Sequence, residues 1–350
     1  MSPHHDAPSP SGSFTQTSHV SFRPVTGSGP RNSRSQPNNR TDPESALHVS
    51  SSANSTTSLE TEVHVSRPLV PGVYVPTVCF FDPVTEELDR DSIGTHAVRL
   101  ATAGVTGLAT QGSNGEAVHL THAERQAVTQ TTRSALDAAG FSHLPIIVGC
   151  GAQSVRETIQ YCQEAYAAGG DYALVLPPSY YAPLFSPASA SVIEYFHAVA
   201  GRSPIPLLIY NYPGALNRIV AATRSAKPHS LSAAPSFLVL GGSADFTLQS
   251  LIGGGHGILA GLANLSPKAC LEILRLYREG KLAEAQQLQE VVARGDWAAI
   301  QGGIVATKAA MESWLGYGGY ARSPLPRPTS SDSARWKDSF QELVAVEKSF

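Results

Sequence analysis

From Val70 onward the chain alternates short, wholly apolar runs with longer segments of helical periodicity, and this alternation limits the possible folds most. Seven runs are strand-like: Gly72–Thr77, Val105–Thr110, Pro145–Gly149, Tyr172–Leu176, Pro206–Tyr210, Phe237–Leu240 and Gly257–Ala260. The helical segments between them are Asp91–Ala103, His122–Ala138, Val155–Ala168, Ala188–Ala200, Ile219–Ala226 and Phe246–Ile252. Apolar strands separated by helices are typical of parallel βαβ units. The sequence therefore predicts an α/β fold with a parallel sheet.

A parallel sheet of this kind belongs either to a doubly wound fold or to a (β/α)8 barrel. In the doubly wound fold a glycine-rich turn follows the first strand, but here the first strand is followed by Thr77–Asp82, which contains no glycine. The sequence thus predicts a (β/α)8 TIM barrel over residues 69–265. The last barrel helix and a C-terminal helical extension are predicted over residues 266–350. Only seven strand-like runs are found, so the predicted barrel is one strand short.

The first 68 residues have a different texture, rich in Ser, Pro, Thr, Asn and His and without sustained apolar periodicity. Such a segment buries too little apolar surface to offset its ordering entropy, and residues 1–68 are predicted to form a disordered arm. The first forty residues contain four arginines and one acidic residue, Asp6, which is typical of a mitochondrial transit peptide. Prolines and glycines interrupt any amphipathic helix there. A cytoplasmic location is therefore expected, with a mitochondrial one as the alternative.

Composition argues against several classes of function. A net charge of −3 is unlike that of a nucleic-acid-binding protein, and no apolar run approaches the 18 residues of a transmembrane helix. The four cysteines are scattered without the paired spacing of a zinc or redox site. No metal, nucleic-acid or membrane partner is expected.

Polar and glycine-rich segments follow several predicted strands, at the end of a barrel where catalytic groups lie. Gly112–Glu116, with the sequence Gly-Ser-Asn-Gly-Glu, follows the second strand and offers N–H groups and a hydroxyl that suit a carboxylate. Tyr210–Pro213 follows the fifth strand, and a phenol there can relay a proton. Pro177–Pro183 and Gly241–Asp245 follow two further strands. Taken singly, each is explained equally well as an ordinary turn or a tyrosine at the edge of the core.

Taken together and in this order, these segments resemble the dihydrodipicolinate synthase / N-acetylneuraminate lyase superfamily of pyruvate-dependent class I aldolases. The resemblance spans about Pro71–Leu325 and includes Ala263-Asn264 and Trp314–Pro324. The Gly112–Glu116 segment is most similar to the branches of 4-hydroxy-2-oxoglutarate aldolase and 2-keto-3-deoxy sugar-acid aldolase. The resemblance implies a TIM barrel, a Schiff-base lyase reaction on a pyruvate-type 2-oxo acid, no metal or organic cofactor, and a homotetramer.

The resemblance also implies roles for individual residues. Ser113, Tyr210 and Tyr181 match the catalytic positions: the hydroxyl relay, the proton-shuttling tyrosine and the tyrosine that reaches a neighbouring subunit's site, with Tyr180 as the alternative for the last. Ser113, Asn114 and Gly242 match the substrate-binding positions, the first two as the carboxylate pocket. The nucleophile of the family is a lysine on the sixth strand.

That lysine has no counterpart here. No lysine precedes Lys227, and the others are Lys268, Lys281, Lys308, Lys337 and Lys348. A barrel of about 250 residues allots roughly 31 residues to each βα unit. The 31 positions from Tyr210 to Gly241 hold one unit where two are needed. The sequence therefore predicts that the sixth βα unit is absent, with the junction at Asn217 and Arg218.

Three interpretations of function follow from these residues. The first is a Schiff-base aldolase-family protein, with this chain either a pseudoenzyme, a splice form or an incomplete gene product. The second is a non-catalytic protein that binds 2-oxo acids or associates with active subunits. The third is a flavin- or phosphate-using barrel enzyme, for which Ala260–Asn264 offers only a weak phosphate-binding segment.

Overall fold

The computed structural model describes residues 67–185, 190–211, 216–225 and 237–350. The predicted disordered arm lies, up to residue 66, outside the described residues. Seven strands are present in these ranges: β1 Gly72–Pro76, β2 Gly107–Thr110, β3 Ile146–Gly149, β4 Tyr172–Val175, β5 Leu207–Ile209, β6 Leu240–Gly241 and β7 Gly257–Leu259.

Helices connect the strands and continue beyond the last one. The first seven are α1 Arg90–Thr102, α2 His122–Ala138, α3 Val155–Ala167, α4 Ala182–Phe185, α5 Ala190–Ala200, α6 Leu216–Ser225 and α7 Thr247–Ile252. The remaining four are α8 Pro267–Arg278, α9 Leu282–Leu315, α10 Ser330–Ser339 and α11 Gln341–Glu347. Helix α9 is broken at Gly303, whose backbone is not helical (φ 59°, ψ −151°). None of these helices is long and apolar enough to cross a membrane.

The sheet has the strand order of an opened barrel. Every pairing between the named strands is parallel, and the order is β5-β4-β3-β2-β1-β7-β6. Consecutive strands lie side by side except for β5 and β6, and β1 pairs with β7 as the first and last strands of a barrel do. Within the described ranges β5 and β6 are the edges of the sheet. The predicted barrel architecture is therefore confirmed. Among the described residues no strand lies between β5 and β6, which agrees with the predicted absence of the sixth unit, and β6 and β7 occupy the places of the seventh and eighth barrel strands.

Side chains alternate between the two faces of the sheet, as the period of a strand requires. Val73 and Val75 of β1 face the helices, whereas Tyr74 faces the concave side. Four concave-side residues are buried: Tyr74, Ala109, Ile147 and Leu174. The residues that pack against them from β5, β6 and β7 are only partly buried: Leu208, Tyr210, Leu240 and Leu259. The concave core is therefore complete at the centre of the sheet and thins toward β5 and β6.

Several predicted element boundaries were wrong by a few residues. Strand β6 begins at Leu240 rather than Phe237, because only Leu240 and Gly241 pair with β7 and Phe237 is 54% exposed. Strand β2 begins at Gly107 rather than Val105. Helix α6 begins at Leu216, three residues before the predicted start. An apolar run predicts burial, whereas the length of a strand depends on where a partner strand is available.

Candidate functional site

The predicted site residues follow β2, β4, β5 and β6, so they lie at one rim of the sheet, where the carboxyl ends of its parallel strands meet. Ser113 and Gly242 are exposed and Asn114 is half-buried. Tyr210 is half-buried and packs against the concave core. Tyr181 is 62% exposed. The rim therefore offers polar groups from four loops around the opening of the concave side.

The loop after β2 is a tight turn. The Gly112 carbonyl accepts from the N–H groups of Gly115 at 3.1 Å and Ala117 at 3.3 Å, and the Ser113 carbonyl accepts from Glu116 N–H at 3.1 Å. The N–H groups of Ser113 and Asn114 are not donors within this turn. A pair of such N–H groups at the end of a strand is suited to an anion such as a carboxylate.

The residue before the turn, Gln111, and the last residue of the turn, Glu116, have left-handed backbone conformations, with φ of 50° and 51°. For residues with a Cβ atom this costs about 1–2 kcal/mol each, so other contacts must hold them there. The Gln111 amide donates to Thr129 Oγ1 at 3.0 Å and to the Arg125 carbonyl at 2.5 Å. Strained backbone held by side-chain contacts is frequent where a loop must present its groups in one geometry.

Glu116 is held by donors on both carboxylate oxygens. Lys308 Nζ donates to Oε1 at 3.1 Å, and Arg322 N–H donates to Oε2 at 2.8 Å. His119 Nδ1 lies 3.1 Å from Oε2. The side chains of Lys308 and Glu116 are 0% and 1% exposed. Burial lowers the pKa of Lys308, and the charge of Glu116 opposes that shift.

Asn114 packs against the loop after β7. A Cβ atom at Gly261 would lie 2.4 Å from Asn114 Nδ2, so the amide occupies the space that a glycine leaves free. Three residues later, Asn264 accepts from Val78 N–H at 3.1 Å and donates to the Pro76 carbonyl at 2.8 Å. The ends of β1, β2 and β7 are therefore joined through two asparagines.

The loop after β6 is anchored to helix α9. Asp296 is buried and accepts hydrogen bonds from the Ser243 hydroxyl and, at 3.2 Å, from Asp245 N–H. Burial raises the pKa of Asp296, and the Ser243 bond opposes that shift. Gly242 itself has open space around it, since a Cβ atom at this position would meet nothing within 4 Å. Backbone beside Gly242 can therefore be approached closely by a ligand.

Residues Pro177–Tyr181 lie in the loop after β4, and the two tyrosines of this loop are exposed. The Gln153 side-chain oxygen accepts from Ser179 N–H at 3.0 Å and Tyr180 N–H at 2.9 Å, which fixes the start of this loop. The rings of Tyr180 and Tyr181 pack edge to face with centroids 5.0 Å apart. Tyr180 is 79% exposed. Both rings extend into solvent in the single chain.

The described lysines all lie in helices or at helix ends, not on strands. Lys268, Lys281, Lys337 and Lys348 are exposed, and Lys227 lies outside the described residues. Lys308 alone among those described is buried, and it is engaged by Glu116 and by the Tyr320 carbonyl at 2.5 Å. None of the partners of Lys308, which are Glu116, the Tyr320 carbonyl and the Phe81 ring, belongs to the concave core. Nor do the described residues include three or more His, Cys, Asp or Glu side chains arranged to hold a metal ion.

Sequence reasoning missed the importance of Lys308 and of a buried network beside it. His96 is 1% exposed and bonds through Nε2 to Asn264 Oδ1 at 2.9 Å and through Nδ1 to the Tyr317 hydroxyl at 3.0 Å. A signal was available, since Lys308 is the one charged residue in the run Ile304–Met311. A lone lysine inside an apolar helical run is expected to have a buried partner.

Comparisons with known proteins agree with this geometry. The family model described as the dihydrodipicolinate synthetase family matches residues 70–222 and 216–343. An Emericella nidulans protein named probable 4-hydroxy-2-oxoglutarate aldolase, mitochondrial, is 50% identical over 305 residues, which cover 81% of this chain and 98% of the relative. An L-threo-3-deoxy-hexylosonate aldolase of Aspergillus niger is 43% identical over 327 residues. The alignment covers 81% of this chain and 97% of the Aspergillus niger protein.

Solved structures of dihydrodipicolinate synthase family proteins are also similar to this chain. A crystal structure of a dihydrodipicolinate synthase family protein from Coccidioides immitis superposes with a TM-score of 0.70 at 30% identity, covering 81% of this chain and 99% of that one. YagE of Escherichia coli, solved in complex with pyruvate, has a TM-score of 0.68 at 24% identity and supports the fold alone. The chain belongs to the dihydrodipicolinate synthetase family of aldolases and lyases.

Proposed function

We propose that this protein recognises a 2-oxo acid of the kind that yields pyruvate, such as 4-hydroxy-2-oxoglutarate or a 2-keto-3-deoxy acid. We further propose that the 350-residue chain binds this acid without forming a Schiff base with it. The observation that carries the proposal is the intact Gly112–Glu116 turn at the rim of a sheet that is open at the place of the sixth barrel strand. One half of the site thus lies in the described residues, and no strand among them supplies an amine at the place of the sixth barrel strand.

The reaction implied by the family resemblance explains why this matters. A lysine amine condenses with the C2 carbonyl, releasing water, and the imine accepts the electron pair when the C3–C4 bond breaks and an aldehyde leaves. Protonation at C3 and hydrolysis then release pyruvate and the free amine. In this chain Tyr210 faces the concave core, where such a proton transfer would take place. Ser113 and Asn114 would hold the carboxylate.

The comparisons support the absence of a unit. The two matched parts of the family model meet at residues 216–222, which include the predicted junction of Asn217 and Arg218. The alignment with the Emericella nidulans relative has 305 positions. It covers 81% of the 350 residues of this chain, which is fewer residues than the alignment has positions. That relative therefore has residues for which this chain has no counterpart. A sibling form with roughly thirty more residues and a strand lysine is the proposed cleavage-competent protein.

Titration with pyruvate tests the binding proposal. We expect the purified chain to bind pyruvate with a dissociation constant of about 1 mM, because the carboxylate contacts remain while the covalent bond does not form. Ser113→Ala should weaken binding by roughly tenfold through loss of a hydrogen bond to a charged group. Ser142→Ala, an exposed serine before β3, is the matched control and should bind as the wild type does. Absence of binding by the wild-type chain would refute the proposal.

We also propose a homotetramer located in mitochondria. The exposed rings of Tyr180 and Tyr181 and the exposed side chains of Leu184 (80%) and Ile193 (53%) support an interface on this side of the barrel. The relatives from Emericella nidulans and Coccidioides immitis carry the word mitochondrial in their names. Light scattering gives the oligomeric state, and an import assay with isolated mitochondria tests the location against a cytoplasmic one.

A further inference from the structure

The Gly112–Glu116 turn is bonded through Glu116 to residues that are distant in the sequence. Glu116 receives hydrogen bonds from Lys308 and Arg322, which lie 192 and 206 residues further along. Arg322 in turn donates to the His119 carbonyl at 2.8 Å and to Glu124 Oε1 at 2.6 Å. The C-terminal region therefore holds both the turn and the start of helix α2.

Lys308 is enclosed by protein and does not reach the surface of the site. Its side chain is 0% exposed, it donates to Glu116 and to the Tyr320 carbonyl, and it lies 4.7 Å from the centre of the Phe81 ring. Of these partners Glu116 is the one that belongs to the Gly112–Glu116 turn, so Lys308 acts on the turn through Glu116. The Glu116 N–H is bonded to the Ser113 carbonyl at 3.1 Å, so the carboxylate and the turn move together.

Stability alone is a weak reason for this ion pair. Buried ion pairs repay little of their desolvation cost, and apolar residues of the same volume often replace them without loss of stability. The left-handed backbone of Glu116, by contrast, needs an attachment in order to persist. Attachment at this point fixes the orientation of the turn.

We propose that Lys308 and Glu116 are positioning residues, whose buried ion pair orients the Ser113 and Asn114 N–H groups toward the carboxylate of the 2-oxo acid. This inference rests on the proposed function. It predicts that the pair controls discrimination between a carboxylate and its uncharged analogue. A merely structural role would leave that discrimination unchanged.

The test is the double variant Glu116→Gln/Lys308→Met, which removes both charges and leaves neither buried alone. Pyruvate and pyruvamide are titrated in parallel, and thermal unfolding is followed in the same samples. We expect pyruvate binding to weaken by roughly tenfold while pyruvamide binding changes less than about twofold. Hydrogen exchange of the peptide 111–118 in the absence of ligand should become faster.

The matched control is Arg67→Met/Asp171→Asn, a second largely buried ion pair at 2.8 Å before β4, at the opposite end of the sheet. This variant should change neither affinity nor the exchange of peptide 111–118, whatever its effect on stability. If the Glu116/Lys308 double variant discriminates between pyruvate and pyruvamide as the wild type does, and hydrogen exchange of peptide 111–118 is unchanged, the positioning role is overturned. The proposed function would stand in that case. Failure of the wild-type chain to bind pyruvate overturns the proposed function and this inference with it.

Discussion

Acid should destabilise this protein through one buried histidine. The Asn264 amide nitrogen donates to two carbonyls, Pro76 and Gly261, both at 2.8 Å, so its oxygen is the acceptor that faces His96. His96 must then donate from Nε2 and accept from the Tyr317 hydroxyl at Nδ1. Arg99 Nε donates to the same hydroxyl at 2.8 Å. A second proton on His96 would disrupt this chain of hydrogen bonds and place a positive charge beside Arg99.

The magnitude follows from the pKa of His96, which burial and the nearby Arg99 charge lower from 6.5 to about 3. Above pH 6.5 the histidine is neutral in both the folded and unfolded protein, and its full contribution to stability is present. Below pH 6.5 the unfolded chain takes up a proton that the folded chain refuses until about pH 3. The free energy of unfolding therefore falls by about 1.4 kcal/mol for each pH unit, or about 2 kcal/mol between pH 7 and pH 5.

Urea denaturation at pH 7, 6 and 5 measures this effect when the wild type is compared with His96→Gln. The variant should be less stable at pH 7, because a glutamine cannot reproduce both hydrogen bonds. The difference in the free energy of unfolding between wild type and variant should be about 2 kcal/mol smaller at pH 5, because the variant has no histidine at position 96 whose protonation favours the unfolded chain. The other histidines are the same in both proteins, so their titration cancels in the difference. A deficit that stays constant from pH 7 to pH 5 would refute the reasoning.

Three further substitutions test other contacts. Gly261→Ala places a methyl group 2.4 Å from Asn114 Nδ2, so the amide should rotate away and pyruvate binding should weaken by roughly tenfold with little change in the urea midpoint; unchanged affinity would contradict this. Asn264→Ala removes the partner of Val78 N–H, of His96 Nε2 and of two carbonyls in the core, and it should cost about 3–5 kcal/mol in urea denaturation. A cost below about 1 kcal/mol would show that water replaces the amide. Tyr181→Ser should shift the assembly toward smaller species in light scattering without lowering the thermal midpoint, because the ring is largely exposed within one chain; an unchanged assembly would exclude Tyr181 from the interface.

The sheet could be predicted from sequence because each strand carries its own evidence. A run such as Ile146–Gly149 is apolar throughout, and in the structure all four of its residues are buried. Helix α2 has the predicted bounds, and Thr121 and Glu124 form a capping box at its start. The gap between β5 and β6 among the described residues agrees with the short spacing from Tyr210 to Gly241, because a barrel needs a near-constant number of residues for each unit.

Contacts between distant residues could not be predicted in the same way. The helical context of Lys308 does not indicate its role, because its burial depends on Glu116, 192 residues away. The same holds for His96 and Asn264, separated by 168 residues. Periodicity indicates that a residue is buried, but it does not identify the partner on another element.

Borohydride trapping with pyruvate tests the central claim most directly. Borohydride reduces an imine to a stable secondary amine, so a lysine that forms a Schiff base acquires the mass of the reduced pyruvyl group. The intact mass of this chain should stay unchanged at pyruvate concentrations that saturate binding. No described lysine lies on a strand, and the one that is buried, Lys308, is engaged by Glu116 and the Tyr320 carbonyl. An adduct, mapped by peptide sequencing to Lys308 or to any other lysine, would show that the chain carries its own nucleophile and would contradict this account.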